Sequence, residues 1–125
     1  MEIIEGQVVK GFGLGKNLGF PTVNILYDGK LSGVFAGKIF IDGKSFFAAI
    51  HVGKRPTISE EMPVLEAHVI YDFKEFDGKN LVGEKIKVEI LKKIRETKKF
   101  ADLNELKKQI AKDVKDVGYF VKEKH

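Results

Sequence analysis

The chain has 125 residues, of which 43% are hydrophobic and 32% charged; that is enough for one domain with a real core and too apolar for a disordered chain. Cysteine is absent, which excludes disulfides, thiolate metal sites and a cysteine nucleophile, and no apolar run approaches the roughly 18 residues of a spanning helix. The charge is +4, and Arg55 and Arg95 are the only arginines, so the excess is lysine, a solvated point charge that suits attraction of an anion better than reading of base edges.

Met1 is followed by Glu2 and a strand-like stretch rather than by a basic segment and an apolar run. No signal peptide is therefore expected, and a cytoplasmic protein is. Residues 3–9 mix β-branched and polar side chains and read as a strand. Residues 11–24 are glycine-rich. Residues 34–42 and 45–52 are β-rich runs joined at Asp42 and Gly43, a strong hairpin signal because both residues tolerate positive φ. Residues 64–73 alternate, with Val64, Glu66, His68 and Ile70 on one face and Leu65, Ala67, Val69 and Tyr71 on the other. Residues 84–94 alternate again, with Ile86, Val88 and Ile90 together. Asp102 followed by Glu105 is a capping-box pattern, and Leu103, Leu106, Ile110, Val114 and Val117 then recur at helical spacing. Gly118 is the expected C-cap. Many strands followed by one helix predict a small, closed or nearly closed antiparallel barrel with a C-terminal helix packed on it.

The segment GFGLGKNLGFPTVNI (residues 11–25) stands out. Glycines let backbone N–H groups approach phosphate oxygens, and Lys16 can lay a positive charge beside them. Thr22 and Asn24 offer neutral oxygens, which suit a hard cation already held by phosphate; two residues apart in an extended segment, they point the same way. Neither standard phosphate motif is present. Lys10 stands where the first glycine of the Gly-x-x-x-x-Gly-Lys pattern belongs, and Lys16 stands at the third glycine position of Gly-x-Gly-x-x-Gly. Read alone, the glycine spacing is more simply that of a surface loop between strands.

Residues 15–25 of this segment closely resemble the signature of the riboflavin kinase (flavokinase) family. Four further blocks fall in the same order: residues 33–36 (GVFA), residues 52–57 (VGKRPT), residues 65–69 (LEAHV), and residues 94–100 with the following helix to Asp113. The resemblance runs from about residue 5 to residue 115. It implies a six-stranded antiparallel β-barrel that transfers the γ-phosphate of ATP to the 5′-hydroxyl of riboflavin, giving FMN and ADP. By position, Gly13, Gly15, Lys16 and Phe20 resemble the ATP contacts, with Thr22 and Asn24 at the Mg²⁺–ATP site. Glu66 resembles the general base, and Arg95, Glu96 and Phe100 the flap over the flavin. Departures are Phe35 for the usual Tyr, residues 80–83 (NLVG) for Leu-Tyr-Gly, Lys16 for an arginine, and His51 where the family often has Asn. Many bacterial relatives carry an FMN adenylyltransferase domain ahead of this one; a single kinase-like domain over residues 1–125 is expected, without FAD synthesis.

Several residues have a plainer reading. Glu66 by itself is a solvent-facing strand carboxylate, Arg95 a rim partner of Glu96 or Glu89, and His68 a hydrogen-bonded structural histidine or an orienting group for Glu66. The lysine-rich helix face is solvated. For the whole chain, the competing functions are a basic oligonucleotide-binding barrel and a flavin-binding protein without catalysis. The expected partners are ATP, ADP, riboflavin and FMN, with no nucleic acid, no membrane and a monomeric state.

Overall fold

The computed structural model describes residues 2–9, 22–27, 29–53, 64–70 and 81–124. The six strands are β1 (Glu2–Val9), β2 (Thr22–Leu26), β3 (Gly33–Ile41), β4 (Lys44–Gly53), β5 (Val64–Val69) and β6 (Lys85–Arg95), followed by one helix, α1 (Leu103–Lys124). All neighbouring pairs are antiparallel, and the strands close into a barrel in the order β1-β2-β5-β4-β3-β6. The expected barrel with a C-terminal helix is therefore present. No helix among the described residues is long and apolar enough to cross a membrane.

Local chemistry accounts for most of the elements. The β3–β4 hairpin turns at Asp42 and Gly43, with φ of 51° and 78° and Ile41 opposite Lys44; two central residues at positive φ make the turn whose twist matches the strands. β2 was not apparent from periodicity. Its five residues follow the glycine-rich stretch directly, and too few alternations remain to declare a strand. In the barrel, Val23 and Ile25 fill the interior while Thr22 and Asn24 take the other face.

The interior is apolar throughout. Val23, Ile25, Phe35, Ile39, Ile50, Val52, Leu65, Ala67, Val69, Ile86, Val88 and Ile90 belong to one buried cluster, the filling expected of a small barrel. Gly37 faces this interior next to a register shift between β3 and β6. A Cβ there would collide with the Glu89 carbonyl and the Ile50 side chain, so the two backbones approach only because position 37 has no side chain.

The helix packs on the outside of the barrel. Ala36 of β3 and Ala49 of β4 are directly opposite one another, and these two small residues form a seat for Val114, Val117 and Val121. Asp102 caps the helix through Oδ1, which accepts from Glu105 N at 2.9 Å, while Glu105 Oε2 accepts from Ala101 N at 3.4 Å. Two sequence expectations fail here. Gly118 does not end the helix, which continues to Lys124, because Val121 shares the seat with Val117 and that burial outweighs the roughly 1 kcal/mol cost of a mid-helix glycine. Leu103, expected on the apolar face, opens the helix and is exposed.

Candidate active site

Directly opposite residues in a sheet project to the same side, so the strand register defines what stands together on the outer face. One row crosses five strands: Asn24 (β2), Glu66 (β5), His51 (β4), Val34 (β3) and Arg95 (β6). The adjacent row contains Thr22, His68, Ala49, Ala36 and Lys92. Thr22, Asn24, Glu66, His68 and His51 thus form one polar patch over β2, β5 and β4. Opposite Cβ atoms in such a ladder lie about 4.5–5.5 Å apart.

The centre of the patch is buried although it lies outside the barrel, with Thr22 and His51 half-buried at its sides. Asn24 is 4% exposed, and Glu66 and His68 are 2% exposed each. Every residue of β5 is buried, on both faces. This overturns the reading of Glu66 as a solvent-facing carboxylate. A carboxylate enters such surroundings only with partners, and His68 Nε2 lies 3.1 Å from Glu66 Oε1. That approach is close enough for an ion pair, but the ring is not aligned for a good hydrogen bond, and neither His68 nitrogen makes one among the described residues. Asn24 Oδ1 is likewise buried without a hydrogen-bond partner among the described residues. A neutral oxygen in that condition beside a carboxylate has the chemistry to serve as a ligand to a hard cation.

At the other end of the first row, Arg95 makes a two-pronged contact with the buried Asp113 of α1. Nε donates to Oδ1 at 2.8 Å and Nη2 to Oδ2 at 2.7 Å; Nη1 donates to the Glu96 carbonyl at 2.8 Å. Gln109 Nε2 adds a bond to Asp113 Oδ1 at 3.0 Å. The rim pairing expected with Glu96 or Glu89 is replaced by this one, because the fork of a guanidinium matches a carboxylate geometrically. The Glu96 carboxylate instead meets Lys93. Phe100 packs against Leu106 and Ile110.

The structure therefore brings Thr22, Asn24 and Glu66 together and sets Arg95 at the end of their row, on the far side of β4 and β3. Gly13, Gly15, Lys16 and Phe20 lie outside the described residues. Sequence reasoning missed two members. His51 faces Glu66 from β4, and only the register shows it. Asp113 ends the last block of the resemblance without a role of its own in the sequence; its one signal is its place next to Val114 at the margin of the apolar stripe.

Fold and patch together define a small closed β-barrel whose outer face carries a buried carboxylate opposite the amide of Asn24, with Thr22 in the adjacent row. The Flavokinase (riboflavin kinase) family model matches residues 2–121, and the chain belongs to that family. A bifunctional riboflavin kinase/FMN adenylyltransferase of Haemophilus influenzae is 39% identical over 121 residues, covering 94% of this chain and 38% of that protein. The RNA-binding riboflavin kinase RibR of Bacillus subtilis is 36% identical, covering 94% of this chain and 50% of that protein. The chain thus spans half or less of the length of these relatives. Among solved structures, a macrolide-efflux protein from Streptococcus pneumoniae superposes with a TM-score of 0.67 at 28% identity, covering 89% of this chain and 36% of the other. Riboflavin kinase from Trypanosoma brucei superposes with a TM-score of 0.59 at 23% identity, covering 98% of this chain and 80% of that one, a likeness of fold.

Proposed function

We propose that this chain phosphorylates riboflavin, transferring the γ-phosphoryl group of ATP to the 5′-hydroxyl to give FMN and ADP. The observation that carries the proposal is the pairing of the buried Asn24 and Glu66 across β2 and β5, with the half-buried Thr22 beside them on the same face. Phosphoryl transfer requires charge neutralisation and in-line positioning more than covalent help from the protein. A primary hydroxyl needs one nearby carboxylate to take its proton.

Glu66 has that role. The 5′-oxygen forms its bond to the γ-phosphorus, the bond to the β–γ bridging oxygen breaks, the electron pair leaves with ADP, and the hydroxyl proton ends on the Glu66 carboxylate. Burial of Glu66 keeps water from competing for the phosphoryl group. The residues fit a magnesium ion: Asn24 Oδ1 and the Thr22 hydroxyl are neutral oxygens that would hold it together with nucleotide phosphates. When bound, such an ion neutralises charge on the phosphate oxygens. Gly13, Gly15, Lys16 and Phe20 flank the polyphosphate and base in this proposal. Arg95, Glu96 and Phe100 flank the flavin, and Asp113 and the helix hold Arg95 and Phe100 in place.

No described feature favours the oligonucleotide-binding alternative. The test is direct. Purified chain with riboflavin, ATP and magnesium should yield FMN and ADP by chromatography, excess chelator should stop the reaction, and added magnesium should restore it. If no FMN forms with any nucleoside triphosphate or divalent metal, the proposal fails.

A further inference from the structure

The proposed reaction uses Thr22, Asn24 and Glu66 and leaves His68 without a task. Yet His68 is 2% exposed, projects from β5 on the same face as Glu66, and holds Nε2 at 3.1 Å from Glu66 Oε1. Around it the register places Thr22 on β2 and Ala49 on β4. Neither ring nitrogen makes an aligned hydrogen bond among the described residues. An imidazole kept only for packing is a poor choice there. A buried polar group without good partners destabilises the fold, and an apolar side chain of similar volume would serve better.

We propose that His68 is a positioning residue for Glu66: its Nε2–H donates to Oε1 and fixes the direction in which the carboxylate meets the substrate hydroxyl. This rests on the reading of Glu66 as the base. A glutamate side chain turns about three torsions before its carboxylate is placed, so a donor at one oxygen narrows the orientations that strand geometry leaves open. A carboxylate has about four lone-pair sites, so an N–H at Oε1 and an incoming hydroxyl can be accommodated together. Contacts of this kind are often misaligned until substrate is bound. The same contact determines the tautomer: with Nε2 facing a carboxylate, the proton belongs on Nε2 and the lone pair on Nδ1.

The experiment compares wild type, His68→Met, His68→Gln, Glu66→Gln and the double variant Glu66→Gln/His68→Met. Methionine keeps the volume and removes the donor; glutamine restores an N–H at similar reach. We expect turnover of His68→Met to fall about 10–100-fold, as for lost support of a reacting group, with KM for riboflavin and ATP within about threefold and the melting temperature unchanged or higher. His68→Gln should recover most of the lost turnover. The double variant should be no slower than Glu66→Gln alone, because a residue acting through Glu66 has nothing left to act on. Wild-type turnover in His68→Met overturns the proposal, and so does a full further loss in the double variant. A second measurement needs no variant to fold: ¹⁵N shifts of His68 in the wild-type protein should show a proton on Nε2, and a ring carrying its proton on Nδ1 alone overturns the assignment. A wild-type protein that forms no FMN defeats the kinase reading and this inference together, whereas an active wild type matched by His68→Met defeats the inference alone.

Discussion

Asn24 and Glu66 show what a single cross-strand pair contributes. In the proposed reaction the amide oxygen supplies a neutral ligand and the carboxylate a base, and the ladder between β2 and β5 keeps them side by side. Their substitutions separate the two roles. Glu66→Gln keeps size and removes basicity, so turnover should fall roughly 10²–10⁴-fold while flavin fluorescence titration shows riboflavin bound within several-fold of normal. A Gln variant at the wild-type rate would remove the base from the mechanism. Asn24→Ala should lower turnover by more than ~100-fold, the usual cost of a lost electrostatic stabiliser, and leave a cooperative thermal transition, since Oδ1 gives up no hydrogen bond to the described residues. Near-normal turnover in the folded Asn24→Ala protein would exclude the metal role. Both residues were legible in the sequence as candidates through the resemblance to the family. Their burial was not, because alternation in residues 64–73 distinguishes two faces without saying which of them meets water.

Among the elements, the joint between β6 and α1 carries the second polar cluster. Arg95 ends the strand, Asp113 lies near the middle of the helix, and their two-pronged pair is largely withdrawn from solvent, at 16% and 5% side-chain exposure. Removing one partner leaves the other charge buried and uncompensated. Asp113→Ala should therefore cost about 3 kcal/mol, which for a domain of this size is a fall of about 10 °C in Tm. A thermal melt checks this, and a shift of only a degree or two would class the pair with ordinary surface bridges. The helix was readable from its period and its cap, since the spacing of Leu106, Ile110, Val114 and Val117 and the Asp102 cap are local features. Its length was not, because the packing of Val121 on β3 and β4 carries it past Gly118.

For the molecule as a whole, closure matters most. β6 pairs with β3 on one side and with β1 on the other, and β1 also pairs with β2. Closure leaves no unpaired edge to recruit another chain. Deleting residues 1–9 removes β1 and exposes edges on β2 and β6. The truncated chain should elute as aggregate in size-exclusion chromatography and lose its cooperative melt; a soluble, cooperatively melting product would show that β1 is dispensable to the barrel.

The sequence by itself determined the strand runs of β1, β3, β4, β5 and β6, the turn at Asp42 and Gly43, the capped helix, and, through five ordered blocks, the family. These are properties of near neighbours in the chain: period two, period 3.6, and residues that tolerate positive φ. Only the tertiary structure decided that Asn24 faces Glu66 and that His51 faces it from the other side. It likewise decided that both faces of β5 are buried and that Arg95 pairs with the Asp113 carboxylate rather than with that of Glu96. Each of these depends on register between strands distant in sequence, or on a helix seated on two alanines. A shift of one residue in either place would keep every local pattern and dismantle the site.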